Sequence, residues 1–259
     1  MILTIVIGNT NTEFGWFDGR RFARSLRVRT GSLRSAGIPK PGRVADVAVA
    51  SVVPEATQAV RARLHAAGLE PFLVGPCTRT GLKFRYRRGD LGADRLCAAV
   101  GAWRRFPGQD LIVFDFGTAT TVNVILREGI FAGGAILPGI RMSFDALADK
   151  TASLPRLVPG KTRSPIQHST RAAMQAGVAG LFAGGIDRII DEVEQDTGRS
   201  HRVVATGGGT RTARRYAKRT GTWIPRLASE GLAEVFYFNT PASAGAGSRA
   251  RSRAGNPGT

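Results

Sequence analysis

Two short turns rich in glycine, threonine and asparagine are the first candidates for chemistry in this chain. The sequence GNTNT (8–12) follows the apolar run Ile2–Ile7, and GTATT (117–121) follows Leu111–Phe116. Glycine allows the backbone to approach a ligand closely, and backbone N–H groups with Thr or Asn side chains can donate to anionic oxygens. Each turn is therefore a candidate phosphate cradle, and two such turns across a cleft would hold the β- and γ-phosphates of a nucleotide.

A third glycine-rich turn, TGGG (206–209), lies between an expected strand at 202–205 and a basic helix beginning at about Thr212. A strand-to-helix turn of this kind suits the nucleoside or α-phosphate end of a nucleotide. The residue types alone thus predict these phosphate-binding positions: Gly8, Asn9, Thr10, Asn11, Thr12, Gly207 and Gly208.

The elements around the first two turns repeat. Each turn lies between two expected strands, and a hairpin turn and a third strand follow, about 109 residues apart by the offset of Gly8 from Gly117. A superposition on these glycines places Val6 on Asp115 and Thr12 on Thr121. The alternative is a chance similarity of two hairpins, but the strand, the turn and the hairpin all match. We therefore predict a domain-scale internal duplication.

The remaining patterns complete an α/β chain. Helices are expected at 55–67, 94–105, 142–151, 169–198 and 227–238, and further strands at 44–53 and 71–74. We expect one domain at 1–108 and a second at 109–239. Residues 240–259 carry three Arg, no acid and no large apolar side chain, so they are expected to be a disordered basic tail.

Composition sets outer limits on function. The chain has 259 residues with 42% hydrophobic and 22% charged, which is ordinary for a globular protein. The net charge of +18 attracts anions of any kind, and no RNA-binding aromatic pattern accompanies it. Cys77 and Cys97 lack CxxC spacing and are expected to be buried reduced thiols. The N-terminal apolar run is too short for a signal peptide or a spanning helix, which predicts a soluble cytoplasmic protein.

Seven segments together resemble type III pantothenate kinase, a family of the acetate and sugar kinase/heat-shock ATPase/actin superfamily. They are IGNTNT (7–12), ASVVPE (50–55), LGADR (91–95), DFGTATT (115–121), GGAILPGI (133–140), STRAAMQAG (169–177) and ATGG (205–208). The resemblance implies a duplicated actin-like ATPase (ribonuclease H-like) fold, with two domains and a cleft between them. It also implies ATP-dependent phosphorylation of pantothenate, the first step of coenzyme A biosynthesis.

The resemblance implies a role for each matching residue. Asp94 would be the catalytic base, because a carboxylate near a primary alcohol can accept its proton; an N-cap role for Asp94 is the alternative. Asp115 would hold a monovalent cation (K⁺ or NH₄⁺), Thr118 would contact ATP, and Mg²⁺ would arrive with ATP. Pantothenate would contact Tyr86, Gly92, Ala93, Asp94, Arg95 and Thr170. Thr170 would do so at the interface of a homodimer.

The chain departs from the family pattern at two places. The family's first phosphate motif begins with Asp, whereas this chain has Val6, and valine cannot help to hold the magnesium that bridges the phosphates. The loop before Asp94 is also altered, since YRRGD (86–90) replaces the usual Asn-Pro pair after Tyr. Both departures leave the level of activity open.

Three functions compete at this point. The first is a pantothenate kinase impaired by Val6. The second is a non-catalytic family member that acts by binding or regulation, as in the related Bvg accessory factor proteins. The third is nucleic-acid binding, which rests on charge alone. The intact positions Asp94, Arg95, Asp115, Thr118 and Thr170 favour the enzyme.

Overall fold

Two β-sheets form the frame of the protein in a computed structural model that describes residues 1–33, 44–161 and 164–240. The first sheet has the order β3-β2-β1-β4-β5 and comprises β1 (Ile2–Ile7), β2 (Asn11–Asp18), β3 (Arg21–Arg29), β4 (Asp46–Ser51) and β5 (Pro71–Leu73). The second has the order β11-β10-β7-β8-β9-β6 and comprises β6 (Lys83–Phe84), β7 (Leu111–Phe116), β8 (Ala119–Leu126), β9 (Ile130–Pro138), β10 (Arg202–Thr206) and β11 (Thr222–Trp223).

Helices cover the sheets in alternating layers. They are α1 (Pro54–Ala66), α2 (Ala93–Arg105), α3 (Ile140–Asp149), α4 (Thr170–Thr197), α5 (Thr210–Tyr216) and α6 (Leu227–Asn239). Helix α1 packs on the outer face of the first sheet, and α2 with α6 lies between the two sheets. Helices α3, α4 and α5 cover the outer face of the second sheet. Both central strands, β1 and β7, are almost fully buried because they have helices on each side.

The duplication expected from the sequence is present in the topology. In each sheet an antiparallel three-stranded meander leads into a parallel strand on the other side of its first strand, as β3-β2-β1-β4 and β9-β8-β7-β10. The two turns differ by one residue, however. Ile7 pairs with Thr12, whereas Phe116 pairs with Thr120. Val6 therefore still corresponds to Asp115, but Thr12 corresponds to Thr120, which corrects the gap-free superposition.

The chain passes between the two sheets more than once. Strand β6 precedes the second copy in sequence but pairs with β9 in the second sheet. Helix α6 ends the chain's described part and packs against β1, β2 and β4 of the first sheet as well as against α2. The division of the chain into domains at 1–108 and 109–239 stays a prediction. Because of these crossings, each sheet makes contacts with residues on both sides of that boundary.

Helices α2 and α6 approach each other closely enough to require glycine. A Cβ on Gly231 would lie 1.8 Å from the carbonyl oxygen of Cys97, and one on Gly101 would lie 2.5 Å from that of Leu227. No side chain fits at such distances, so the two backbones are in direct contact. Helices α2 and α6 therefore connect the two sheets, each of which carries one of the phosphate-type turns.

Three other expectations concern the rest of the chain. Cys97 is buried as expected, and burial raises the pKa of its thiol, but Cys77 is exposed because it lies on the surface turn after β5. Among the described residues, no helix is both long and apolar enough to cross a bilayer. The expected tail, apart from residue 240, lies outside the described residues.

Candidate functional site

The two phosphate-type turns meet across the gap between the sheets. The Thr10 Oγ1 atom lies 2.7 Å from the Thr118 Oγ1 atom, which is a hydrogen bond between hydroxyls 108 residues apart. Both side chains are exposed, and so are Asn9 and Asn11 beside them. The side chains of Asn9, Thr10, Asn11 and Thr118 therefore lie together at the gap between the sheets, with hydroxyls and amides facing solvent.

A small network holds the first turn in shape. The Gly8 N–H donates to the Asn11 carbonyl at 3.1 Å, and the Thr30 hydroxyl donates to the Gly8 carbonyl at 2.6 Å. Thr12 is fully buried, and its hydroxyl lies 3.0 Å from that of Thr30. This departs from the expectation that Thr12 binds phosphate, because a buried hydroxyl bonded to Thr30 cannot reach a nucleotide. Thr12 instead supports the turn.

Asp94 lies in the first turn of α2, where its side chain faces the cleft side of the helix end. Gly92 occupies the N-cap position, so Asp94 is not the cap residue, although its Oδ1 accepts the Arg95 N–H at 2.7 Å. Burial raises the pKa of the Asp94 carboxyl above its ordinary value, while the hydrogen bond and charge of Arg95 oppose the rise. A half-buried carboxyl with a raised pKa is more basic than an ordinary carboxylate, which suits it to accept a proton.

Asp115 is the penultimate residue of β7, the central strand of the second sheet, and lies beside the third glycine turn. Burial, together with the nearby charge of Asp94, raises the pKa of its carboxyl to about 7. A Cβ on Gly207 would lie 2.2 Å from Asp115 Oδ1, so this carboxylate occupies the space that glycine leaves open. The Gly209 N–H bonds the Phe116 carbonyl at 2.7 Å, which fixes this turn against the end of β7. The structure thus brings Asp94, Asp115 and the third turn together.

Arg95 and Tyr86 form a second part of the site. The Arg95 side chain is buried, its Nε donates to Asn123 Oδ1 at 2.9 Å, and its guanidinium lies 5.5 Å from the centre of the Tyr86 ring. Tyr86 packs edge-on against Phe131, 5.7 Å between ring centres. The sequence predicted Arg95 and Tyr86 as site residues but not their contact. Although the loop at 86–90 is altered, it places the Tyr86 ring next to Arg95.

Asn123 is a residue that the sequence reasoning missed. It is completely buried in the middle of β8, and its Nδ2 has no hydrogen-bond partner in the described structure. An unpaired buried N–H is costly unless a ligand or water satisfies it. The sequence feature that could have identified it is a single Asn side chain within the otherwise apolar run VNVIL (122–126).

A cavity of about 280 Å³ opens beside the start of α2. It is lined in part by Ser51, Val52, Arg88, Gly92, Ala93 and Leu96. The backbone of Gly92 and Ala93 thus lines a space next to Asp94, as expected for a small substrate. Thr170 is exposed at the start of α4, and no hydrogen bond among the described residues links it to Asp94, Arg95 or Tyr86.

Comparisons with known proteins agree on one family. The family model described as type III pantothenate kinase matches residues 2–192. A type III pantothenate kinase from Syntrophotalea carbinolica is 38% identical over 224 residues, which covers 80% of this chain and 87% of the relative. Among solved structures, a Baf family protein from Campylobacter jejuni is similar with a TM-score of 0.62 and 19% identity, covering 92% of this chain and 98% of the other.

A second solved structure shows the fold in a nucleotide-bound protein. It is the activator of 2-hydroxyisocaproyl-CoA dehydratase from Clostridium difficile with bound ADPNP, with a TM-score of 0.52 and 14% identity, covering 90% of this chain and 92% of the other. At these identities the two structures show the fold alone, which is the two-domain actin-like ATPase fold.

Proposed function

The chain belongs to the type III pantothenate kinase family, and on that premise we propose that it transfers the γ-phosphoryl group of ATP to the primary hydroxyl of pantothenate. The observation that carries this function is the convergence at one cleft of the Asp94 carboxyl, the Asp115 carboxyl and the Thr10–Thr118 turn pair. The reaction is the first step of coenzyme A biosynthesis. The products are 4'-phosphopantothenate and ADP.

The nucleotide lies along the three glycine turns in this proposal. Asn9, Thr10, Asn11 and Thr118 offer backbone and side-chain donors to the β- and γ-phosphates, and Gly207 and Gly208 receive the α-phosphate end. Gly8, whose own N–H is used within the turn, lets the backbone come close to the phosphates. The hydrogen bond between Thr10 and Thr118 supports this placement, because it brings the side chains of the two turns to one place. Anionic oxygens are well matched to such arrays of backbone N–H groups and hydroxyls.

Pantothenate lies at the start of α2 in this proposal, with its reacting hydroxyl at Asp94 and with the cavity lined by Gly92 and Ala93 beside it. The buried Arg95 guanidinium, the Tyr86 ring and the unpaired Nδ2 of Asn123 do not line that cavity, but they lie together near the same helix end and support a polar ligand. The Arg95 guanidinium donates to the Asn123 amide oxygen at 2.9 Å and to the Val122 carbonyl at 3.3 Å, and no carboxylate among the described residues accepts a hydrogen bond from it. We assign the backbone of Gly92 and Ala93 to the same ligand.

Asp94 acts as general base in the transfer. As the pantothenate oxygen forms its bond to the γ-phosphorus, its proton passes to the Asp94 carboxylate and the bond to the ADP oxygen breaks. The turns hold the phosphates in line with the attacking oxygen. The lost proton returns to solvent when the product leaves. The raised pKa of Asp94 supports this role, because a more basic carboxylate accepts a proton more readily.

The family implies ATP and a divalent metal. The residues present fit a metal that is held mainly by the phosphates, because Val6 supplies no ligand at the position matching Asp115. Mg²⁺ bound with ATP neutralises phosphate charge. Asp115 fits a monovalent cation, K⁺ or NH₄⁺, since a buried carboxyl with a pKa of about 7 gains when a cation sits beside it.

The protein is a homodimer in this proposal, with α4 at the interface and Thr170 completing the partner's pantothenate site. Gly177, Gly180 and Gly184 lie on one face of α4, and a Cβ on any of them would meet nothing within 4 Å. Leu181 beside them is 74% exposed. Such an open, partly apolar helix face is suited to close packing against a second helix. We place the dimer in the cytoplasm, where ATP is supplied.

An assay of ADP release tests the proposed function. Purified protein with ATP, pantothenate, Mg²⁺ and K⁺ should form ADP and one phosphorylated product with the mass of 4'-phosphopantothenate. Omission of pantothenate is the control for plain ATP hydrolysis. Binding of both ligands without turnover would instead favour the non-catalytic alternative.

A further inference from the structure

Val6 places an apolar side chain where the second copy of the repeat has the Asp115 carboxyl, but its neighbour on the adjacent strand is charged. Val6 pairs directly with Glu13 on the antiparallel strand β2, whereas the corresponding Asp115 pairs with Thr121. Directly opposed residues lie on the same face of a sheet, with Cβ atoms about 5 Å apart. A carboxylate therefore lies next to the position where the first phosphate turn lacks one.

The Glu13 carboxylate forms an ion pair with an arginine. Arg27 on β3 is opposite Glu13, and its Nη2 donates to Glu13 Oε2 at 2.7 Å. The Glu13 side chain is only 14% exposed, whereas that of Arg27 is 43% exposed. A largely buried carboxylate thus fixes one end of a guanidinium whose other end is open to the cleft.

The open end of Arg27 faces the second sheet. Its Nη1 lies 3.1 Å from the place where a Cβ on Gly208 would sit, so the guanidinium borders the third glycine turn. It also lies near Asp115, whose pKa its charge lowers. Arg27 therefore reaches from the edge of the first sheet to the turn expected to hold phosphate in the second.

We propose that Arg27, positioned by Glu13, binds the phosphate chain of the nucleotide and supplies positive charge where Val6 removes an acidic metal anchor. The inference rests on the proposed function. Three carboxylates, those of Glu13, Asp94 and Asp115, lie in or beside the cleft and repel phosphate. A guanidinium with one end fixed and donors to spare offsets that repulsion and matches phosphate geometry.

A binding experiment separates this role from that of a surface ion pair. We expect Arg27→Gln to weaken ADP binding at least about tenfold, the order expected when a charge-assisted hydrogen bond is lost, with adenosine binding unchanged. Isothermal titration with and without EDTA measures the affinity for ADP and for adenosine. The loss of ADP affinity in the variant should persist when EDTA removes the metal. Arg21→Gln, at the start of the same strand and with the same change in charge, is the matched control and should bind ADP as the parent does.

Two further variants test the positioning role of Glu13. Arg27→Lys should recover part of the ADP affinity, because it keeps the charge but not the fork of donors. Glu13→Gln should weaken ADP binding less than Arg27→Gln, and the double variant Glu13→Gln/Arg27→Gln should be no worse than Arg27→Gln alone. Additive losses would contradict the claim that Glu13 acts through Arg27.

The outcomes distinguish this inference from the proposed function. A parent protein that binds no ADP would overturn both. A parent that binds ADP while a folded Arg27→Gln variant binds it equally well would overturn the role of Arg27 alone, and melting curves establish that the variants are folded. Equal weakening by Arg27→Gln and Arg21→Gln would reduce the effect to overall charge and would also overturn it.

Discussion

At the scale of single residues, the two cleft aspartates differ in what surrounds them. Burial raises the pKa of both carboxyls; the hydrogen bond and charge of Arg95 oppose the rise at Asp94, whereas the charge of Asp94 adds to the rise at Asp115. Environments that differ in this way give like groups different roles, as in other pairs of carboxylates. The structure therefore suits Asp94 to accept a proton and Asp115 to attract a cation.

The substitution Asp94→Asn should abolish transfer while the protein stays folded. Asparagine keeps the shape and can still accept the Arg95 N–H, but it cannot take the proton of the hydroxyl, and loss of a general base typically costs about 10²–10⁴-fold in rate. Single-turnover kinetics and a melting curve check both parts. A rate within a factor of two of the parent would mean that Asp94 only supports the helix end.

The substitution Asp115→Asn should stabilise the ligand-free protein at alkaline pH. The folded pKa of about 7 exceeds the ordinary 3.8, so the folded state holds a proton that the unfolded state has lost between these values. The stability of the parent therefore falls as pH rises from about 4 to 7 and stays lower above that. Melting temperatures at pH 5 and pH 8, without K⁺ or nucleotide, should show a larger gain for Asp115→Asn at pH 8.

Potassium provides the complementary control for Asp115. Added K⁺ should raise the melting temperature of the parent at pH 8, where the carboxylate is ionised, and should leave that of Asp115→Asn unchanged. An equal response of both proteins to K⁺ would place the cation elsewhere.

At the scale of elements, the contact of α2 with α6 connects the two halves. Helix α2 carries Asp94 and Arg95 at its start, and α6 packs across it at Gly101 and Gly231 while also contacting the first sheet. The position of Asp94 relative to the two turns thus depends on the last helix of the described part of the chain.

The substitution Gly231→Ala should be strongly destabilising. Its Cβ would lie 1.8 Å from the Cys97 carbonyl oxygen, so the two helices must separate, and such overpacking typically costs about 1–3 kcal/mol or more. Chemical denaturation measures the free energy of unfolding. Gly198→Ala is an unsuitable control because of its positive φ, whereas Gly185→Ala, whose Cβ would meet only the Leu137 side chain at an ordinary 3.7 Å, is matched by type and helix setting. An equal effect of both would contradict the close contact.

At the scale of the whole molecule, one long helix offers a surface without a partner in the described chain. Helix α4 spans 28 residues, and its inner face packs on the second sheet through Val178, Phe182, Ile186 and Ile190. Its outer face carries open glycines and the exposed Leu181. A second copy of the chain would bury this face and bring in its own Thr170.

The substitution Leu181→Glu should shift the protein from dimer to monomer and raise KM for pantothenate more than for ATP. A buried unpaired carboxylate opposes association, and the dimer would lose Thr170 from each pantothenate site. Sedimentation and steady-state kinetics measure the two effects. Val158→Glu, which makes the same apolar-to-acidic change at an exposed side chain outside α4, is the matched control for the added charge. A monomeric parent with full activity would remove the interface from the mechanism.

The amino-acid sequence by itself determined the layout of this protein. Periodic apolar runs place most strands and helices within a few residues, because buried strands and amphipathic helices need those patterns, and the seven family motifs identify the kinase. The ends of elements were predicted less accurately. The third strand of the second copy was expected to end at residue 136, whereas β9 runs to Pro138 because its last residues continue to pair with β8.

Tertiary structure decided which side chains meet. The shift of one residue between the two turns, the burial of Thr12 and the packing of α6 against the first sheet depend on strand register and long-range packing, which no local pattern encodes. The same holds for Asn123 beneath Arg95 and for Arg27 between Glu13 and Gly208. Residue types can show that phosphate chemistry is present, but the distances and burial that set charge and pKa exist only once the two sheets are in place.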